Sequence, residues 1–476
     1  MKTWFDQILH HTRMQPQRPA IVLVDRAITY GMLAAGIESC ARRFARADLG
    51  SGVPVAIAVK SPLRQVVLGL ALLRIGIPSM SIGSVSQLTA DIGVAAVLVD
   101  SGNTSGAHSG RRVITVTDEW FAPDAAGSAP LPRGFSGSDG VCRYSLTSGT
   151  TGDPKLIRDT IASIGGRVFN NIFNGIDISR TGMLCLQGLS STWGFANACA
   201  TLTAGRTLYL ADSPGEAIAM IELFAIDLVL ASTDQVLSLA ATARRTGAQV
   251  RSLRLVAMSG GVTSRTLLEA AITYLSKDIL CLYGATEIGL VSRAMGRDVL
   301  ANPGLAGFVA PGVEAAVFDA GGNVCPAGEI GSIKVRHTAD DDADAEPAWI
   351  ELGDYGWFAP DGRLYVVGRT ADGAITEMRI SPVIEAEHIL RVEFDYDDAA
   401  ALMHDGEGSR PVIQFGIVNN RDTTADKLQA SLLVRGIDVA VELFALPSIP
   451  RGANGKVNRV QLKSALESAQ RILPGR

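Results

Sequence analysis

The chain has 476 residues, of which 47% are hydrophobic and 19% charged, and its formal net charge is −5. Such a length asks for more than one hydrophobic core, and such a composition excludes a disordered chain. The negative balance argues against a general nucleic-acid binder, whose phosphate contacts need clustered lysine and arginine.

From the start of the chain, Met1–Gln15 holds Asp6 and two histidines and lacks a long apolar core, so it does not read as a signal peptide. The longest apolar run, Val66–Leu73, is halted by Arg74, far short of a membrane span. Strand-like runs are expected at Pro54–Val59, Ala95–Val99, Met183–Leu186, Thr207–Leu210, Leu228–Leu230, Leu253–Met258 and Asp278–Leu282. Helical patterns lie between them at Tyr30–Ala47, Leu63–Ile75, Gly215–Phe224, Gln235–Thr246 and Ser264–Leu275. Thr29 stands where an N-cap belongs, and Pro214-Gly215 punctuates the start of another helix. This alternation predicts an α/β fold of open layers, with ligands at the carboxyl ends of the strands.

After about residue 300 the pattern shifts to glycine and short alternating runs (Ala315–Asp319, Gly331–Val335), which predict a small β region. Ala339–Glu346 reads as a solvated acidic loop. A domain boundary is expected near Arg369, giving an N-terminal domain over 1–368 and a small α+β domain over 369–476. The six cysteines, at 40, 142, 185, 199, 281 and 325, form no metal spacing and read as buried thiols in a reducing compartment, so a cytoplasmic enzyme is expected.

The run Tyr144-Ser-Leu-Thr-Ser-Gly-Thr-Thr-Gly-Asp-Pro-Lys155 carries the most chemistry. Glycine lets successive N–H groups turn toward one anion, hydroxyls add donors, and the lysine adds a mobile positive charge, so a phosphate chain is the natural guest. The order is not that of a Walker A loop. It resembles the phosphate loop of the adenylate-forming superfamily: acyl- and aryl-CoA synthetases, peptide-synthetase adenylation domains and luciferases. By that resemblance Thr147, Ser148, Gly149, Thr150, Thr151, Gly152 and Lys155 clamp the phosphates of ATP.

Further motifs follow in the order the superfamily keeps. Arg18-Pro-Ala-Ile21, Ile28-Thr-Tyr-Gly-Met-Leu33 and Leu70-Ala-Leu-Leu-Arg-Ile-Gly76 look like its opening segments. Tyr283-Gly-Ala-Thr-Glu287 is similar to its second core motif. The resemblance implies that Tyr283 packs on adenine with Gly284 beside it, that Thr286 contacts the phosphate region, and that Glu287 helps hold Mg²⁺. A hard cation wants carboxylate oxygen and shares its shell with substrate phosphate. Ser259-Gly-Gly-Val262 stands where the family borders adenine and the acyl group, which brings in Gly260 and Gly261. Leu352-Gly-Asp354 and Gly368-Arg369 resemble the family's ribose and hinge motifs; Asp354 would accept from the ribose hydroxyls, with Arg369 close to the ribose and phosphate. Leu446-Pro-Ser-Ile-Pro-Arg-Gly-Ala-Asn-Gly-Lys-Val-Asn-Arg459 is similar to the segment that carries the family's catalytic lysine, here Lys456. Adenylation gathers charge on oxygens already anionic, so a positioned ammonium and Mg²⁺ are the groups the reaction requires.

Two departures matter. The acyl-binding segment Leu184–Phe195 contains no acid, which disfavours an α-amino acid because a buried ammonium would lack a partner. Ser191, Trp193 and Phe195 are its candidate pocket residues, and no arginine or lysine in the segment stands ready for a second carboxylate. At the hinge, Ala371 and Thr376 stand where relatives carry an acid or lysine and a lysine. The resemblance therefore implies an ATP-dependent carboxylic-acid ligase that forms an acyl-adenylate and passes the acyl group to a thiol. The thiol is CoA or the phosphopantetheine of an acyl-carrier protein, and the acid is a small aliphatic or aryl one. A nucleotide-binding sensor without the thiolation step is the alternative, and a homodimer is one of the arrangements left open.

Overall fold

The computed structural model describes residues 3–50, 52–83, 85–89, 92–101, 110–122, 130–132, 134–147, 155–174, 179, 181–338, 347–369, 382–394, 396, 398–404, 410–418, 425–451 and 457–472. They fall into two compact units, Met1–Leu230 and Ala231–Arg476.

The first unit holds two sheets of mainly parallel strands. One runs, in spatial order, Val113–Val116, Ala96–Asp100, Val55–Ala58, Ser79–Ser81, Val141–Thr147 and Lys155–Thr160, and only the last pair is antiparallel. The other places Leu228–Ser232 beside Gly182–Cys185, Thr207–Tyr209 and Pro19–Val22, all parallel, with Ala27–Thr29 closing the edge antiparallel. All four residues of Val55–Ala58 and of Gly182–Cys185 are buried, as expected of strands covered on both faces. Between strands run helices Tyr30–Arg46, Pro62–Arg74, Thr192–Thr203 and Pro214–Phe224. Their starts are set chemically: the hydroxyls of Thr29 and Ser61 accept the backbone N–H of Met32 and Arg64, and Pro62 and Pro214 occupy first turns. The apolar run Val66–Leu73 is the buried part of helix Pro62–Arg74.

The second unit begins with a strand–helix–strand turn: Leu255–Ser259, helix Arg265–Tyr274, then Asp278–Ala285 parallel to the first strand. From there pairing turns antiparallel through Gly289–Met295, Leu305–Val309, Leu364–Arg369, Ile350–Phe358, Gly331–His337 and Val313–Phe318. This is the glycine-rich β region expected from the sequence, longer than the runs that signalled it. A second sheet orders Asp398–His404, Val412–Val418, Ala440–Ala445 and Arg471–Ile472. Its alternate residues serve two faces: Ala399 and Ala401 join the core with helices Pro382–Glu393 and Ala425–Val434, while Ala400 packs with Leu462 and Leu466 of helix Arg459–Ser468.

Helix Pro382–Glu393 docks on helices Thr233–Thr246 and Arg265–Tyr274 through a buried polar set. Glu385 accepts the backbone N–H of Arg265 at 3.0 Å and of Thr266 at 3.2 Å, together with the Thr266 hydroxyl. His388 meets Ser264, and Arg391 donates to Asp234 at 3.1 Å and to the Ser238 hydroxyl at 2.6 Å. On the opposite side of the helix, Glu387 accepts from Ala401 N–H and from Arg459. Among the described residues no helix is long and apolar enough to cross a membrane.

Candidate active site

The phosphate-loop motif joins two antiparallel strands whose last register pair is Thr147 with Lys155. Ser148, Gly149, Thr150, Thr151 and Gly152 lie outside the described residues, as do the side chains of Thr147 and Lys155. The hydroxyl of Ser145, at the head of the same run, is turned inward: it is buried and bonded to Thr192 at 2.6 Å, and Thr192 donates on to Asp159 at 3.0 Å. Ser145 therefore braces the strand rather than offering a donor to a ligand.

The acyl segment leads into helix Thr192–Thr203. Ser191 is its N-cap: the hydroxyl donates to Gly188 O at 2.7 Å and accepts Gly194 N–H at 3.0 Å. Trp193 is half-buried, and its indole nitrogen has no hydrogen-bond partner. Phe195 is buried as part of the core; a Cβ at Gly69 would stand 3.2 Å from its ring.

In the second unit, strand Leu255–Ser259 ends beside its parallel neighbour Asp278–Ala285, with Ser259 in register with Leu282. The next residues along each strand are Gly260 and Tyr283. Gly260 adopts φ +89°, and a Cβ on Gly261 would collide with the Thr233 hydroxyl, so both glycines are required for the chain to turn here. Tyr283 and Gly284 are still part of strand Asp278–Ala285, with a bulge between them, rather than lying beyond its end. Thr286 and Glu287 make the turn into Gly289–Met295. The Tyr283 hydroxyl donates to Asp354 Oδ2 at 2.7 Å. Asp354 is buried on strand Ile350–Phe358, in register with Arg369, whose side chain lies outside the described residues. The fold thus gathers Tyr283, Asp354 and the backbone of Arg369 from three places in the sequence.

A carboxylate has about four lone-pair positions, of which the Tyr283 hydroxyl occupies one on Asp354. Glu287 is half-buried in that turn. A carboxylate fits a hard cation. The described residues contain no group of three or more His, Cys, Asp or Glu able to hold a metal by themselves. Lys456 lies outside the described residues, but its flanks are held: Arg451 pairs with Asp398 at 2.6 Å and bridges to Val457, and Asn458 caps helix Arg459–Ser468. The hinge positions Ala371 and Thr376 and the acidic run 339–346 are likewise outside the described residues.

Comparison with known proteins now decides the family. The AMP-binding enzyme family matches residues 8–339. The chain belongs to that family. Among its relatives is the 2-succinylbenzoate–CoA ligase of Bacillus subtilis, 22% identical across 96% of this chain and 97% of the relative. The solved structure of an O-succinylbenzoate coenzyme A synthetase from the same organism, in complex with AMP, superposes with a TM-score of 0.77 at 22% identity, over 97% of this chain and 98% of that one. The fatty acid–[acyl-carrier-protein] ligase ScoC of Streptomyces coeruleorubidus is 22% identical over 97% of this chain and 96% of its own. As an AMP-binding enzyme, the chain has the layered α/β architecture expected from its strand–helix alternation.

Several residues escaped the sequence reading. Arg143 and Asp159, buried and facing each other in register on adjacent strands, were hidden because a single charge inside a strand resembles an edge position. Glu385, His388 and Arg391 could have been found, since polar residues at intervals of three along a helix mark one stripe, here distinct from Glu387.

Proposed function

We propose that this AMP-binding enzyme is an AMP-forming acid–thiol ligase. The observation that carries the reading is the Tyr283 hydroxyl held on Asp354, at the end of a strand pair that also presents Gly260 and the turn with Glu287. In this reading Tyr283 and Gly284 border adenine, Gly260 and Gly261 leave room for nucleotide and acyl group, and Asp354 accepts from the ribose with Arg369 nearby. The loop Thr147–Gly152 and Lys155 hold the β- and γ-phosphates, and Thr286 contacts the phosphate region. Glu287 would hold Mg²⁺, which neutralises phosphate charge when bound. Lys456 places an ammonium beside the α-phosphate as the substrate carboxylate attacks and pyrophosphate leaves. The mixed anhydride so formed makes a poor electrophile reactive toward a thiol.

Residues 369–476 form, in this proposal, a mobile domain that brings Lys456 for the first step and another face for the second. The replaced hinge residues Ala371 and Thr376 lie on the face used for thiol transfer, and the acceptor is CoA or a carrier-protein phosphopantetheine. Ser191, Trp193 and Phe195 belong to the acid-binding segment, and the acid is a small non-amino aliphatic or aryl one. A cytoplasmic setting suits the thiols: burial pushes Cys40, Cys142, Cys185 and Cys281 up to about 12, while only Cys325 is half-exposed.

Acid-dependent exchange of pyrophosphate into ATP, run over a panel of aliphatic and aryl acids, tests the reading. Exchange with at least one acid supports it; nucleotide binding without exchange would leave a sensor. Loading assays with CoA and with a phosphopantetheinylated carrier, read by mass spectrometry, decide the acceptor.

A further inference from the structure

Arg143 lies on strand Val141–Thr147 and is 1% exposed. Burial lowers its pKa to about 10, so it is still a cation at neutral pH. A buried cation is tolerated when an anion and a full set of acceptors surround it. Arg143 has neither. Asp159, opposite it in register, is engaged by the Thr192 hydroxyl and by Arg167 at 3.5 Å, and Arg143 forms no ion pair among the described residues. Its Nε and Nη1 have no hydrogen-bond partner. An apolar side chain of similar size would avoid that desolvation penalty, so the guanidinium must supply something an apolar group does not.

What it supplies goes to one short stretch of chain. Nη2 donates to the carbonyl of Leu189 at 2.8 Å and of Ser190 at 3.3 Å, and the guanidinium stands 4.2 Å from the centre of the Phe195 ring. A planar fork can hold two consecutive carbonyls and stack on an aromatic face at once; a lysine ammonium cannot do both. The next residue in the stretch, Ser191, caps helix Thr192–Thr203, and Thr192 is gripped from the same strand pair by Ser145 and Asp159. The turn and first helical turn of this segment are thus pinned from one sheet. The same stretch leaves two further buried polar atoms without a protein partner, Gln187 Oε1 and Trp193 Nε1.

We propose that Arg143 is a positioning residue that holds the acid-binding segment Leu189–Phe195 in shape and thereby sets which acids the enzyme accepts. The inference rests on the assignment of that segment to the acid made above. Charge on Arg143 acts through the two carbonyls and the ring, not on the reacting atoms.

The test compares wild type, R143M and R143K by pyrophosphate exchange, with ATP and acid varied separately and the acid panel repeated for each. R143M is expected to raise KM for the best acid by about tenfold, the equivalent of one lost charge-assisted hydrogen bond, and to reorder the panel. KM for ATP should stay within about twofold, and R143K should recover part of the loss. Unchanged acid KM and panel order in R143M, or acid and ATP KM rising together, would overturn the proposal. Should R143M not fold, R143Q removes the charge and the stacking while keeping a donor for a carbonyl; an unchanged acid KM and panel order in R143Q and R143K is then the overturning result. A wild type that exchanges with no acid defeats the ligase reading and this inference together. A wild type active on several acids beside an indifferent R143M defeats this inference alone.

Discussion

The Nδ1 of His388 lies 2.6 Å from the hydroxyl of Ser264, and both residues are buried. Ser264 already accepts the backbone N–H of Leu267 at 3.0 Å as the cap of helix Arg265–Tyr274. Its hydroxyl proton can then go to Nδ1, a bond that the neutral ring with its proton on Nε2 accepts. Protonation of Nδ1 would remove that acceptor inside the protein.

His388 should make stability fall in acid. Burial above all, and then the nearby Arg391, lower its pKa to about 4, against the opposing pull of Asp234. In the unfolded chain it returns to 6.5, so between about 6.5 and 4 the unfolded state binds the extra proton. We predict a loss of up to about 1.4 kcal/mol per pH unit from this group as pH falls through that window, and none above it. Urea unfolding at pH 7.5 and 5.0 should show a smaller loss for His388→Asn than for wild type. Parallel losses would exclude His388 as the source.

Glu385 closes the same helix start from across the contact, accepting two backbone N–H groups that nothing else in the helix can satisfy. Glu385→Ala is predicted to destabilise by about 1–3 kcal/mol, because it strands buried donors, while Glu385→Gln keeps an acceptor and costs less. Equal unfolding midpoints for the two variants would count against the cap.

At the nucleotide site, Asp354→Ala is predicted to raise KM for ATP by about tenfold or more, since it removes a carboxylate acceptor from the ribose. Tyr283→Phe loses the 2.7 Å bond to Asp354 and should raise it less than Asp354→Ala does, by about 0.5–1 kcal/mol. Nucleotide titration calorimetry separates the two; a larger effect for Tyr283→Phe would reverse the assignment of roles.

Lys456→Ala should lower the rate of pyrophosphate exchange by about 10²–10³-fold, the loss usual for one preorganised group facing transition-state charge. Thiol transfer from a chemically supplied acyl-adenylate should be spared, because in the proposed scheme that step uses another face of the C-terminal region. Loss of both half-reactions would point to a structural part for Lys456.

Glu287→Gln should shift the Mg²⁺ concentration needed for half-maximal exchange upward by about tenfold, with little change at saturating metal. A Mg²⁺ profile that matches wild type would remove Glu287 from the metal site.

Local signals carried far in this chain. The helix at Tyr30–Arg46 was legible from Thr29, and that at Pro214–Phe224 from its proline, because capping is decided by neighbours in sequence. Tertiary structure decided the rest. It made Ser145 a brace instead of a phosphate donor, set the Tyr283 hydroxyl on Asp354 from 71 positions away, and put His388 on Ser264 across 124. It also made Arg143 a buried cation serving a segment 46 residues downstream. Hydrogen bonds of that reach depend on which strands become neighbours and in what register, and register follows from burying whole faces, not from the residues that end up bonded.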